Sequence, residues 1–120
     1  MTKRDYRDYL QDIVNAIEDV ASFTKDMSYR DFLTDQKTKN AVIRSFEIIG
    51  EATKNLPDSI RKMDASIPWK RMAGMRDKII HEYFGVDYQI VWKTAKRTLP
   101  KLRTRIADIL ETENAANRQA

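Results

Sequence analysis

The apolar positions of the first 55 residues recur at steps of three and four, which is the spacing of one face of an α-helix. The first run consists of Tyr6, Leu10, Ile13, Ile17, Val20 and Ala21. A second run, over residues 35–55, places on one stripe Val42, Phe46, Ile49 and Ala52. Between them, Ser28 is suited to cap a short turn, SYRDFL, that would direct Phe32 and Leu33 towards the core. The pattern predicts two long amphipathic helices joined by a short turn.

The second half continues with helical spacing but has stronger breaks. Pro57 ends the second helix, and Asp58 is a candidate cap for one turn around Ile60. A third helix is predicted from the segment SIPW, residues 66–69, to Gly85. Asp87 is suited to cap the last helix, whose apolar stripe is Val91, Ala95, Leu99, Leu102, Ile106 and Ile109. Pro100 lies within that stripe, so the last helix should kink or divide near Thr98.

These elements predict an all-α protein, a single bundle of four main helices with short extra turns and a proline-kinked last helix. No strand pattern, repeat or linker interrupts the series. The C-terminal segment ETENAANRQA contains no large apolar residue. We therefore expect one domain over residues 1–112 and a frayed tail over residues 113–120.

Composition narrows the class of protein. The chain of 120 residues has three Gly, three Pro and no Cys, so it favours helices and offers no disulfide or thiolate site. No apolar run approaches the ~18 residues of a membrane span, and the charged N-terminus contains no secretory signal, so a cytoplasmic protein is expected. No cofactor is implied, and no group of His, Asp and Glu has the spacing of metal ligands.

Charge divides the chain unevenly. Residues 1–60 carry 9 Lys or Arg against 11 Asp or Glu, whereas residues 61–105 carry 12 against 4. A basic region of this kind suits contact with an anion, most commonly nucleic acid, although a solvated basic surface is an equal alternative.

The basic region contains the only histidine of the chain, in the segment MRDKIIHEYFGVD. Arg76, His81 and Tyr83 form the pattern R-x4-H-x-Y. On one straight helix, Arg76 and His81 would lie about 140° apart around the axis and about 7.5 Å apart along it. Either the helix unwinds near His81, or a second chain completes the site through two-fold pairing.

A paired site of this kind could cleave RNA without a metal ion. Asp77 can hold the imidazole of His81, which would then move a proton to or from the ribose oxygens, while Arg76 would neutralise charge on the phosphate. The candidate RNA-binding residues are Lys70, Arg71, Lys78, Lys93, Lys96 and Arg97.

Each of these residues also has a plain structural interpretation. His81 could be a surface or cap residue, and Tyr83 could belong to the core beside Ile79 and Ile80. Trp69 and Trp92 are expected to be packing residues rather than stacking platforms.

Several segments together resemble one family. The R-x4-H-x-Y pattern, the run FEIIGEA at residues 46–52, the segment IPW at 67–69, the run MAGMR at 72–76 and the run IIHEYFGVD at 79–87 are similar to the HepT-like toxins of the HEPN superfamily. The similarity extends from the first helix to about Leu110.

The resemblance implies a homodimeric, metal-independent endoribonuclease, the toxin of a prokaryotic, type VII-like toxin–antitoxin pair. Its partner would be a minimal nucleotidyltransferase antitoxin. Arg76 and His81 would be the catalytic pair, and Tyr83 would be the residue that the antitoxin adenylylates. Asp77 departs from the Asn that many HEPN ribonucleases have after the arginine, which puts full activity in doubt. The alternative function is a non-catalytic helical module that binds and assists a nucleotidyltransferase.

Overall fold

The computed structural model describes residues 4–81 and 85–119, without the side chains of residue 76 and residues 78–81. The helices are α1 (Tyr6–Phe23), α2 (Tyr29–Leu33), α3 (Gln36–Lys54), α4 (Asp58–Arg61), α5 (Trp69–His81), α6 (Tyr88–Lys93) and α7 (Leu99–Gln119). A 3-10 turn, Lys62–Asp64, follows α4, and a π-helical turn, Thr94–Thr98, joins α6 to α7. Over these two described ranges there is no strand, which confirms the predicted all-α class.

Four long helical segments form the bundle, as the sequence predicted. Helix α1 lies between α3 and α7, and α3 packs on its other side against α5. Their facing stripes build one core, whose fully buried large side chains include Leu10, Ile13, Phe32, Ile49, Met72, Leu99 and Ile106. Burial of such stripes is the main favourable term for helices of this length, since isolated helices are marginal in water.

Side-chain caps fix where most of the helices begin. Ser28 and Asp31 form a capping box on α2, and the carboxylate of Asp87 accepts from the backbone N–H groups of residues 89 and 90, so both predicted caps are confirmed. The predicted cap at Asp58 is wrong. Pro57 holds the cap position of α4 in an extended conformation and makes no side-chain hydrogen bond there, while Asp58 is the first helical residue. A carboxylate in the first turn still interacts favourably with the helix dipole.

The break expected from Pro100 is present. The backbone N–H of Leu99 donates to the carbonyl of Thr94, five residues earlier, and the π-turn ends at Thr98. Proline clashes with the carbonyl four residues before it and has no N–H to donate, so the turn preceding it widens.

The final helix is longer than the sequence pattern indicated. Helix α7 continues past residue 112 to Gln119, where fraying was expected. The hydroxyl of Tyr6 donates to a carboxylate oxygen of Glu113 at 2.8 Å, so the start of the tail is attached to α1. The hydrophobic pattern could not reveal this anchor, because it is a polar contact between residues 107 positions apart.

None of the helices in the described part of the chain is long and apolar enough to cross a membrane.

Candidate active site and basic groove

Helix α5 carries the R-x4-H segment, and its first turn is firmly anchored. Trp69 is buried, and its indole N–H donates to the carbonyl oxygens of Arg61 at 2.9 Å and Asp64 at 3.1 Å. Met72 is fully buried one turn later. This anchoring fixes the direction of α5. The backbones of Arg76 and His81 lie in the second half of the helix.

The predicted catalytic side chains lie largely outside the described part of the molecule. Arg76, Lys78 and His81 are described as helical backbone only, and Tyr83 falls between the two described ranges. Their roles therefore stay predictions.

Asp77 has a partner that the sequence did not suggest. The Nζ atom of Lys54, in the last turn of α3, donates to both carboxylate oxygens of Asp77 at 2.8 and 2.7 Å. This contact ties the motif helix to α3 and supplies a positive charge beside Asp77. The predicted contact of Asp77 with His81 involves a side chain outside the described residues.

A groove runs between α5 and the segment formed by α6, the π-turn and α7, residues 88–119, which we call the α6–α7 arm. Its floor and walls are mainly apolar, and the part beside Met75 and Ile90 has a volume of about 550 Å³. The lining residues there are Pro68, Arg71, Met72, Gly74, Met75, Ile90, Thr94, Thr98 and Leu102. Ile90 is 52% exposed, the highest value among the exposed large apolar side chains of the described residues, which also include Phe23, Leu33 and Met63. Met75, which lines the groove, directly precedes Arg76, so the groove leads along α5 towards the motif.

The predicted RNA-binding cations do not all share this groove. Arg71 and Arg97 line it, whereas Lys70 and Lys93 are exposed without being part of its lining. Lys96 is committed elsewhere, since its Nζ donates to the carbonyl of Thr24 at 3.2 Å and lies 5.3 Å from the centre of the Trp92 ring.

The sequence analysis missed two cations of the groove, Lys101 and Arg105. Together with Arg97, they line the extension of the groove beyond Thr98 and Leu102. Their spacing of four residues was visible in the sequence, but the apolar stripe of the last helix alone did not indicate which face would remain open. At the far end, Arg105 donates to the hydroxyl of Ser66. Ser66 donates in turn to Asp64, which lowers the pKa of that carboxyl.

The tryptophans are packing residues, as expected. Trp69 is buried at the start of α5, and the ring of Trp92 lies 5.2 Å from that of Phe32, which is fully buried.

Comparison with known proteins identifies the family. Residues 13–109 match the family model described as "Ribonuclease HepT-like". The chain belongs to this family. A protein of Thermococcus cleftensis named "Probable ribonuclease HepT" is 52% identical over 101 residues, which cover 84% of this chain and 92% of the relative.

Two further HepT-like relatives carry names of candidate RNases. One, from Methanocaldococcus jannaschii, is 48% identical over 111 residues, covering 92% of this chain and 96% of the relative. The other, from Caldanaerobacter subterraneus, is 46% identical over 107 residues, covering 89% and 96%. No solved structure matches the chain.

Proposed function

We propose that this HepT-like protein is the toxin of a type VII-like toxin–antitoxin pair and acts as a metal-independent endoribonuclease. The observation that carries the proposal is the family match over residues 13–109, which includes the whole R-x4-H-x-Y segment. Two relatives named as a ribonuclease and as an RNase are similar over 92% and 96% of their length.

Arg76 and His81 are the proposed catalytic pair. The imidazole would accept the proton of the ribose 2′-hydroxyl or donate one to the leaving 5′-oxygen, a contribution of about 10²–10⁴-fold in rate. The guanidinium would bind the phosphate through its planar set of donors as negative charge develops. Attack by the 2′-hydroxyl would restrict the reaction to RNA and leave a 2′,3′-cyclic phosphate.

Lys54 is proposed to offset the negative charge of Asp77 beside this pair. A free carboxylate close to the scissile phosphate would repel it. The Lys54 ammonium, which contacts both oxygens of Asp77, offsets that charge. This contact supports the compatibility of Asp77 with an anionic substrate, although many HEPN ribonucleases have Asn at this position.

Cleavage of RNA in the presence of EDTA tests the proposed reaction. The purified protein should cut a 5′-labelled RNA and leave 2′,3′-cyclic phosphate ends, and His81→Ala and Arg76→Ala should each reduce the rate at least 100-fold. Thermal melts of the same samples separate lost chemistry from lost fold. Equal cleavage by parent and both variants would assign the activity to a contaminant or another site.

The spacing of the motif supports the proposed homodimer, because one straight helix would separate Arg76 from His81 by about 140° around its axis. We expect light scattering to give twice the 14.1 kDa chain mass at micromolar concentrations. Mixing Arg76→Ala with His81→Ala should restore part of the activity if the two residues act across the interface. A monomer at all concentrations would contradict the dimer and leave the helix-unwinding alternative.

The proposed regulation is adenylylation of Tyr83 by a nucleotidyltransferase antitoxin. Attack of the phenol oxygen on the α-phosphorus of ATP would form a Tyr–AMP phosphodiester and release pyrophosphate. Co-expression with the neighbouring transferase should add AMP to the parent and not to Tyr83→Phe. Full growth rescue with an unmodified parent chain would instead indicate inhibition by binding alone. The alternative, a non-catalytic module that binds and assists a nucleotidyltransferase, predicts that the chain is not toxic when it is expressed alone.

A further inference from the structure

The wall of the groove formed by the last helix carries a regular row of cations. Arg97, Lys101 and Arg105 all line its extension and are all exposed. Successive positions in such a row rise by about 6 Å, so the three side chains cover about 12 Å along the helix. Arg71 adds a positive charge from the α5 wall.

Three of these four cations have no acidic partner in the described parts of the chain. Within residues 4–81 and 85–119, neither Arg71, Arg97 nor Lys101 forms an ion pair, and Arg105 lies 3.9 Å from its nearest carboxylate, that of Asp64. Like charges held close together repel one another, so the row favours binding of an extended anion.

Gly74 gives a second, independent indication of a ligand. It lies inside α5 and lines the groove, and a Cβ atom built on it would have, apart from its own helix backbone, no described atom within 4 Å. Glycine in a helix interior is unfavourable, and packing within the described chain does not require it here. Close approach of a ligand to the helix backbone is one reason for glycine at such a position.

The groove also has a direction. Ser66 and Arg105 meet at one end, whereas Met75 and Ile90 lie towards the other, where α5 continues into Arg76 and His81. A strand bound along the cation row would therefore run towards the proposed catalytic residues. Phosphates of a stacked strand repeat about every 3.4 Å, so the row would contact roughly four nucleotides.

We propose that the groove between α5 and the α6–α7 arm binds the backbone of single-stranded RNA through Arg97, Lys101, Arg105 and Arg71, and guides it to the motif. This inference rests on the proposed ribonuclease function and extends its substrate site. The apolar floor of Met75, Leu102 and half-exposed Ile90 suits the faces of unpaired bases, which a duplex does not offer. The regular spacing of the cations on one wall fits an extended anionic chain.

Equilibrium binding of a fluorescent 12-nucleotide single-stranded RNA tests the proposal, with His81→Ala as the background so that the probe stays intact. The triple variant Arg97→Gln/Lys101→Gln/Arg105→Gln removes three phosphate contacts. The slope of log K against log salt should become less steep by about 2, and affinity at 0.1 M salt should fall about 100-fold. A 12-base-pair duplex RNA should bind the unsubstituted background more weakly than the single strand.

The matched control is Lys25→Gln/Arg30→Gln/Lys37→Gln, which removes the same charge from exposed positions outside the groove. It should leave the salt slope within about 0.5 of the background, which would separate groove contacts from net charge. Because Arg105 also contacts Ser66, the double variant Arg97→Gln/Lys101→Gln keeps that contact and should still reduce the slope by about 1.4.

Parent-like affinity and slope in the triple variant would overturn the proposal and leave the groove to a partner protein, such as one with an acidic amphipathic helix. Equal losses in the groove and control variants would also overturn it. Binding and cleavage are measured separately, so their failures are distinguishable. If RNA binds through the row of cations but is never cut, the proposed ribonuclease activity is contradicted, while the proposed RNA-binding groove is supported.

Discussion

The two halves of the molecule use their charges in different ways. In the first half, arginines of the α1 and α3 region lie against carboxylates, as in Arg4–Asp12 at 2.9 Å and Arg44–Glu47 at 3.2 Å. In the second half, Arg71 and Arg97 line an open groove without an ion pair in the described parts of the chain. The same residue types thus form ion pairs in one region and line an open groove in the other.

Packing follows the same division. Helix α1 is covered by α3 on one side and α7 on another, and its apolar stripe is almost fully buried. Helix α5 packs on α3 and leaves Met75 beside the groove, which Ile90 of α6 also lines. We infer that the first half, together with α7, supplies most of the stability, while the α5 and α6 region supplies the binding surface. This comparison can be tested directly.

The largest expected effect comes from a matched pair of isoleucines. Ile49 on α3 is fully buried, whereas Ile90 on α6 is 52% exposed. Ile49→Ala should lower the free energy of unfolding by about 2–5 kcal/mol, because it removes buried methylenes and leaves a cavity. Ile90→Ala should change it by less than about 0.5 kcal/mol. Urea unfolding of both variants measures the difference, and a loss above about 2 kcal/mol for Ile90→Ala would mean that the groove closes in solution.

The parts of the fold that depend on local properties of the sequence could be predicted. The helices follow from a period of three and four residues, and the break at Thr98 follows from the covalent structure of Pro100, so both are local properties. The cap at Asp58 was wrong because Pro57 and Asp58 are adjacent candidates for the same position, and local sequence does not choose between them.

The site was harder to predict, because its contacts are not local. The spacing within α5 suggested only His81 as a neighbour of Asp77, yet Lys54 reaches it from 23 residues away. Lys96 was grouped with the RNA-binding cations because of its charge, but the neighbouring carbonyl of Thr24 holds it. Which cations remain available depends on how the helices pack, and a count of charges does not contain that information.

The second effect concerns the attachment of the tail to the first half. Tyr6→Phe removes the hydrogen bond to Glu113 and should lower the free energy of unfolding by about 1 kcal/mol. Amide exchange over residues 113–119 should accelerate, because the last turns of α7 lose their anchor. Tyr9→Phe, which removes a hydroxyl from the same helix, is the control and should not change exchange in the tail. Unchanged exchange in Tyr6→Phe would mean that helix propensity alone holds the end of α7.

The third effect is a gain in stability that should weaken binding. Gly74→Ala should stabilise α5 by about 0.5–1 kcal/mol, because alanine favours the helix and its Cβ meets no atom of the neighbouring described elements within 4 Å. If RNA approaches the backbone at this position, the same change should reduce affinity for the single-stranded probe. Thermal melts and binding curves on one preparation measure both. Unchanged stability together with unchanged affinity would remove Gly74 from the argument for a ligand.

The smallest effect is the pH dependence of the cap on α3. A backbone hydrogen bond from Thr38, followed by one from its hydroxyl, lowers the pKa of Asp35 below its usual 3.8. The folded state therefore binds this proton less readily than the unfolded chain, so the cap stabilises the fold above about pH 4 and loses that contribution as the pH falls through the lowered pKa.

Asp35→Asn keeps an oxygen acceptor that does not titrate, so it should flatten the fall in melting temperature between about pH 4 and pH 2. Asp19→Asn removes one exposed carboxylate elsewhere on the same half and should leave that fall nearly unchanged. If the two variants lose stability equally on acidification, general repulsion among the cations causes the fall in melting temperature at low pH. The cap on α3 would then play no special part in it.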